Sequence, residues 1–176
     1  MDIETNRAQD KWTRGELARR ALWGLCRPLF RWSPRLCWPW RRFLLRLFGA
    51  RVADHVHIHP SAVIFIPWNL EIGAWSSVGF DALLYNLGPM KIGESVTISQ
   101  RAHLCGGTHD FRDDAMPLRK APITIGGGAW ICADAYVGPG VTVGSRAVVG
   151  ARAVVIKDVA DNTVVVGNPA HVVGSR

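Results

Sequence analysis

Three things are scarce in this sequence: paired cysteines, long apolar runs and, over one long stretch, acidic residues. The four cysteines, Cys26, Cys37, Cys105 and Cys132, are scattered with no Cys-x-x-Cys spacing. Neither a disulfide framework nor a zinc ribbon is indicated, and a reducing cytoplasm is the simplest setting. No apolar run approaches the roughly 20 residues needed to span a bilayer. No stretch reads as a signal peptide, because acids and polar residues fill positions 1–10 and no apolar core with a small-residue cleavage site follows. Between Lys11 and Arg51 eleven Lys or Arg face the single Glu16, whereas from Val52 onward nine basic residues meet ten acids. The net charge of +7 therefore belongs to the N-terminal arm.

What is abundant is a period of six. Aliphatic residues recur at Ile125, Ile131, Val137, Val143, Val149 and Val155 without a slip. A helical face repeats near 3.6 residues and a strand at 2, so this spacing belongs to a repeat architecture. Gly follows the aliphatic residue at Gly126, Gly138, Gly144 and Gly150, and the fifth position is small or β-branched at Ala129, Ala135, Val141, Ala147 and Ala153. Each hexad reads as a short strand and a corner, with the aliphatic side chain inward and Gly accepting backbone angles that other residues resist. Three sides close a triangular coil, and stacked coils pair their strands in parallel without hairpins. The ladder extends back through Ile98, Ile92, Val78, Ile72, Ile64 and Ile58 to Val52, giving about five coils that start at Val52, Ile72, Ile92, Ile125 and Val143. The interval from Ile92 to Ile125 has a surplus that reads as a loop over residues 105–122, thrown out from a corner. Compact repeats seldom carry such an excursion without a use for it.

Two regions follow: an arm over 1–51, and a β-helix over 52–176 whose end, 157–176, folds back as a cap on the open stack. Residues 1–10 are polar and expected to fray. The rest of the arm holds five of the eight tryptophans among its arginines, and Pro28, Pro34 and Pro39 are expected to break it into short helices. Those helices either pack their apolar face on the first coil or a neighbouring subunit, or lie on an anionic membrane surface as an interfacial anchor. Nucleic-acid binding fits the charge, but the aromatics alternate with prolines and leucines in a pattern more like an interfacial segment.

The hexads, the out-looped His109 and the run from Trp130-Ile131-Cys132-Ala133 to Gly167-Asn168-Pro169-Ala170 resemble the hexapeptide-repeat acyltransferases. Within them the chain is similar to the galactoside, maltose and nodulation acetyltransferase branch, and most to the colanic acid biosynthesis type. That type shares Arg42-Phe43-Leu44-Leu45-Arg46-Leu47-Phe48-Gly49-Ala50, Tyr85-Asn86-Leu87-Gly88-Pro89, Ile98-Ser99-Gln100 and His109-Asp110. The resemblance implies an all-β, left-handed parallel β-helix, a homotrimer, and acetyl transfer from acetyl-CoA to a hydroxyl. The acceptor it implies is a saccharide of exopolysaccharide synthesis, handled in the cytoplasm at or near the inner face of the membrane. It departs from the family's usual Gly at Cys132, Gly-Ser at Arg152-Ala153, Thr at Ile156 and Lys at His171.

Acyl transfer from a thioester to an alcohol needs a base for the hydroxyl proton, a donor for the carbonyl oxyanion, and a cleft holding both substrates. His109 is the candidate base, since an imidazole ordinarily titrates near 6.5 and suits that task at neutral pH. A loop histidine with no role is the plain alternative. The family pattern makes Asn86 an acceptor-binding residue, although an Asn at a corner also satisfies backbone. Asp110 either orients the imidazole, meets the acceptor or is simply solvated. For acetyl-CoA the matched positions are Trp130 packing on the pantetheine arm, Ala133 offering its N–H, Ala151 one coil on, and Lys157 meeting the nucleotide phosphates. No metal is expected. The competing reading is a non-catalytic or metal-binding β-helix scaffold with a membrane-surface arm, in which the alternating His55, His57 and His59 supply ligands, His103 and His109 being six apart and so on different sides of the triangle.

Overall fold

The computed structural model describes residues 2–176. The hexads form a parallel β-helix with three flat faces. The first face stacks Arg51–Val52, Leu70–Ile72, Met90–Ile92, Ile123–Ile125 and Thr142–Val143. The second stacks His57–Ile58, Ser77–Val78, Thr97–Ile98, Trp130–Ile131, Val148–Val149 and Thr163–Val166. The third stacks Val63–Ile64, Leu83–Tyr85, His103–Cys105, Tyr136–Val137 and Val154–Val155. Within each face the ladder residues lie in register, as in Val52 beside Ile72 and Ile131 beside Val149. Their side chains line the interior, and Ile131, Val137, Val143 and Val149 are all 0% exposed. Burying each is worth about 1.5–3 kcal/mol, so the stack stands or falls as a unit.

Beyond the five coils counted from the ladder lies part of a sixth. Val159 bridges in parallel to Val143, and Thr163–Val166 pairs in parallel with Val148–Val149. The ladder passes from Val155 to the buried Val159 in four residues, so the period of six is lost just where the last coil tightens. Only His171–Ser175 turns back, pairing antiparallel with Thr163–Val166 and ending the parallel stack.

The hexad glycines serve a purpose other than conformational freedom. Gly126, Gly138, Gly144 and Gly150 are absent from the positive-φ residues, which fall instead at corner positions such as Asp134, Arg146 and Arg152, with φ of 58–59°. A Cβ on Gly144 would lie 2.5 Å from the backbone nitrogen of Asp161 in the next coil. Close approach between coils is what requires the missing side chain.

The arm closes the other end of the stack. Helix α1, Ile3–Ala8, is N-capped by Asp2, whose carboxylate accepts from the Thr5 N–H at 3.0 Å. This corrects the expected fraying of residues 1–10, apart from Met1, which lies outside the described residues. The reason is a docking contact, in which the Asp2 N–H donates to the Asp114 carbonyl at 2.6 Å. Helix α2, Arg14–Arg31, starts from a Thr13–Glu16 capping box and runs through Pro28, which was expected to break it. Trp23 and Phe30 bracket that proline and are buried against the first coils, so packing carries the helix through one missing hydrogen bond. Helix α3, Trp38–Leu47, begins with Pro39 in its first turn, where a proline is tolerated.

Trp23, Phe30, Leu44 and Leu45 belong to the same hydrophobic cluster as the ladder, so arm and coils share one core. Arg41 fixes the arm in place. It is 0% exposed, and its guanidinium donates to the carbonyls of Ile58 (2.7 Å), Pro34 (2.8 Å) and Arg35 (2.5 Å) and to Ser33 Oγ (2.7 Å). Among the described residues no helix is long and apolar enough to cross a membrane.

Candidate active site

Every insertion in the ladder leaves from one corner, between the third face and the first. After Ile64 it forms the short turn Pro67–Asn69, after Leu84 the turn at Asn86 to Pro89, and after Leu104 the long loop. That loop contains a β-hairpin, Gly107–His109 paired antiparallel with Leu118–Lys120. Its root is tied to the coil below, where the Gly106 N–H donates to the Tyr85 carbonyl at 2.8 Å. A side chain at Gly88 would collide with the Ala121 carbonyl, so glycine there lets the hairpin seat closely.

His109 ends the first hairpin strand and is exposed. Its Nδ1 lies 2.6 Å from the Met116 carbonyl oxygen. A carbonyl only accepts, so Nδ1 carries the proton and Nε2 of the neutral ring presents its lone pair outward. A general base needs that tautomer. Met116 has φ +43°, an unusual conformation for a side chain-bearing residue, at the point where the chain delivers this oxygen.

The same oxygen accepts from Asn6 Nδ2 of α1 at 2.7 Å, and Asn6 Nδ2 also reaches the Ala115 carbonyl at 2.6 Å. Lys11 Nζ donates to Asn6 Oδ1 at 2.8 Å, and Lys120 Nζ donates to the Lys11 carbonyl at 3.0 Å while lying 3.7 Å from the centre of the Trp12 ring. Residues 2–12 thus strap the hairpin to the arm. Sequence reasoning missed this role for Asn6, because nothing local to a polar N-terminus marks a contact with a loop so distant in the chain.

Asp110 faces Arg119 across the hairpin, where the two form an ion pair, and its other oxygen accepts from the Arg112 N–H at 3.2 Å. The Arg119 guanidinium, with that N–H, holds the Asp110 carboxyl below the usual carboxylate range. Orientation of the imidazole, one role considered for Asp110, falls to the Met116 carbonyl. Asn86 is also placed otherwise than expected for an acceptor ligand. It is 0% exposed, its Oδ1 accepts from the Phe65 and Ile66 N–H groups at 3.2 and 2.9 Å, and its Nδ2 donates to the Ile66 carbonyl at 2.5 Å. Its amide satisfies the corner backbone beneath the loop.

The residues matched to the acyl carrier lie elsewhere on the triangle. Trp130 projects from the second face, is 46% exposed, and donates from Nε1 to Ser99 Oγ at 2.9 Å. Ala133 and Ala151 occupy equivalent corners between the second and third faces of successive coils. The Ala133 carbonyl accepts from the Arg152 N–H at 3.0 Å, and Asp134 beside it pairs with Arg101 at 2.7 Å. Lys157 sits at the His109 corner, two coils further along, and lines a cleft of about 510 Å³ between Val155–Ala160 and Pro169–Val172. One chain therefore gathers His109, Asp110 and Lys157 on one corner and Trp130, Ala133 and Ala151 toward another.

A third cluster was not singled out in the sequence. Outward on the third face, His103 packs edge-on against Tyr136 at 5.3 Å, beside Cys105 at the root of the loop. Hydrogen bonding from His103 holds the Cys105 thiol below its ordinary range, while burial pushes the Tyr136 phenol up to about 12. The histidines considered as metal ligands are otherwise engaged: His55 stacks on Trp75, His57 stacks on Trp38, and His59 Nδ1 lies 2.9 Å from Ser61 Oγ. The described residues contain no group of three or more side chains placed to hold a metal.

A three-sided parallel stack with an imidazole on an out-thrown hairpin is the architecture of a hexapeptide-repeat transferase. The model of the bacterial transferase hexapeptide family (six repeats) matches residues 122–157. The Escherichia coli (strain K12) protein named "Putative colanic acid biosynthesis acetyltransferase WcaF" is 44% identical over 154 residues, covering 88% of this chain and 85% of that one. Among solved structures, the hexapeptide-repeat acetyltransferase VCA0836 of Vibrio cholerae, complexed with acetyl coenzyme A, has a TM-score of 0.83 at 26% identity over 99% of this chain and 96% of that chain. A galactoside acetyltransferase in complex with coenzyme A shares the fold, with a TM-score of 0.84 at 24% identity over 99% of this chain and 88% of that chain. The chain belongs to the hexapeptide-repeat acetyltransferases and is an acyltransferase.

Proposed function

We propose that this chain transfers the acetyl group of acetyl-CoA to a hydroxyl of a saccharide, an intermediate of exopolysaccharide synthesis, with His109 as general base. The observation that carries the reading is the hydrogen bond from His109 Nδ1 to the Met116 carbonyl, which leaves Nε2 as a fixed, accessible base. The name of the Escherichia coli relative supports the acceptor class, and the acetyl coenzyme A complex of the Vibrio cholerae neighbour supports the donor.

The chemistry is a two-step acyl transfer. As the acceptor hydroxyl attacks the thioester carbonyl, its proton passes to Nε2, and the oxyanion of the tetrahedral intermediate is met by a backbone N–H, for which Ala133 is the candidate. Collapse breaks the carbon–sulfur bond, and the departing thiolate of CoA takes the proton back from the imidazolium. The Asp110–Arg119 pair holds the hairpin on which His109 sits. Trp130 and Ala151 contact the pantetheine arm, and Lys157 meets the nucleotide phosphates as a point charge.

The separation of these two sets within one chain supports assembly as a homotrimer. The His109 corner of one subunit then faces the Trp130–Ala133 side of its neighbour across a groove that holds the acyl carrier. The test is release of free thiol from acetyl-CoA across a panel of saccharide acceptors. His109→Ala is expected to lower the acceptor-dependent rate by about 10² to 10⁴. Full activity in that variant would overturn the assignment.

A further inference from the structure

The outer side of the arm carries an unpartnered apolar surface. In α2, the ridge of Trp23 and Phe30 faces the coils, yet Leu22, Leu25 and Leu29, also at helical spacing, point outward and are 55%, 78% and 54% exposed. In α3, Leu44 and Leu45 face inward while Trp40, Phe43 and Leu47 point outward. The hydrogen bond from Trp40 Nε1 to the Leu29 carbonyl, 3.1 Å, joins the two stripes, and Trp40 stacks on Phe43. Between the helices Trp32 and Leu36 extend the patch at 82% and 79% exposure. Such a contiguous surface marks an interaction site.

Its chemistry selects the partner. The arm's arginines lie on its other flank: Arg27 and Arg31 are exposed beside residues 60–64 and Asp81, Arg35 is exposed beside His57 and His59, and none of the three takes part in the ion pairs of the described residues. The whole stretch from Lys11 to Arg51 offers Glu16 as its one acid, and that side chain is committed to the Thr13 capping box. A leucine and tryptophan face on so basic a segment complements acyl chains beneath anionic headgroups. We infer that the outer side of α2 and α3 docks the protein on an anionic lipid surface, with Leu25, Trp32 and Leu36 entering the interface and the net positive charge of the arm drawing it to the headgroups. This inference is independent of the catalytic reading. For an enzyme with a lipid-borne acceptor it has a consequence, because docking confines enzyme and substrate to one plane.

The test is flotation of the full chain with vesicles of phosphatidylcholine alone and of phosphatidylcholine mixed with phosphatidylglycerol. The protein is expected to float with the anionic vesicles, less at high salt, and poorly with the neutral ones. Replacing Arg27, Arg31 and Arg35 by Gln should lower partitioning by about fivefold per charge, and Leu25→Ser with Trp32→Ser should abolish it. Both variants change exposed side chains and should keep the parental melting temperature. Absence of flotation with anionic vesicles would overturn the inference. So would equal flotation of the Leu25→Ser, Trp32→Ser variant, or a change in its oligomeric state under sedimentation, which would assign the patch to a subunit contact.

Discussion

Asn6 and His109, at opposite ends of the N-terminal two thirds of the chain, donate hydrogen bonds to one and the same carbonyl oxygen, that of Met116. The imidazole is therefore aimed by a backbone atom that is itself held from the other side by the N-terminal helix. A base within hydrogen-bond reach of a hydroxyl loses efficiency when its direction is free, since catalysis depends on orientation as well as acidity.

Asn6 is accordingly a positioning residue. Asn6→Ala removes three hydrogen bonds at a partly buried site, each worth about 0.5–1.5 kcal/mol. The loop should loosen while the coils keep their melting temperature. The expected kinetic outcome is a several-fold fall in kcat with little change in KM for acetyl-CoA. Asn6→Asp, which cannot donate and sets a carboxylate against two carbonyl oxygens, should be at least as impaired. Unchanged kcat in both variants would show that the strap does not act on the imidazole.

The hairpin's second tie is electrostatic and gives a pH dependence of known sign. Arg119 lowers the pKa of Asp110 in the folded protein. Such a carboxylate contributes stability that is present above its unfolded pKa of about 3.9 and disappears as pH falls through the lower, folded value. Pepsin cleavage within residues 107–120 should therefore stay slow down to about pH 4 and rise below it. Asp110→Asn should remove the step, and a rise already near pH 6 would assign the ordering to a different group.

Much of this was legible in the sequence, and the exceptions have physical reasons. A six-residue period states its own geometry, so the faces and their parallel pairing could be read directly from Ile125 to Val155, and the loop from the surplus between Ile92 and Ile125. Where the period breaks, between Val155 and Val159, the last coil was hidden. His109 stood out as a candidate because a loop leaving a regular coil is conspicuous, whereas its bond to Met116 depends on how that loop folds and the tie from Met116 to Asn6 is long-range. Asn86 shows the converse, since a motif match marked it for the acceptor and burial gives its amide to the backbone.

The glycines separate two effects that sequence alone merges. Gly144 faces the backbone of Asp161 at 2.5 Å, so Gly144→Ala must push two coils apart, with an overpacking cost of about 1–3 kcal/mol. Gly24 lies in the middle of α2 with nothing within 4 Å of its added Cβ, and Gly24→Ala should stabilise by about 0.5–1 kcal/mol through helix propensity. Thermal unfolding of the pair should move in opposite directions, and movement in the same direction would refute the close-approach account of the hexad glycine.

Arg41 carries the attachment of arm to coils, and its replacement tests whether the two form one cooperative unit. The guanidinium is buried without a carboxylate, a costly arrangement that persists because three carbonyls and one hydroxyl satisfy its donors. Desolvation lowers its pKa, yet an arginine remains charged at any accessible pH. Arg41→Met keeps most of the apolar stem but strands the buried carbonyl of Ile58 and the partly buried ones of Pro34 and Arg35, with an expected loss of roughly 3 kcal/mol. Arg41→Lys retains the charge but cannot span four acceptors arranged for a planar fork, so it should rescue only part of that loss. Because Trp23 and Leu45 pack in the same core as the ladder, both variants should lower a single unfolding transition. Appearance of an early, separate transition for the arm would show instead that the coils fold without it.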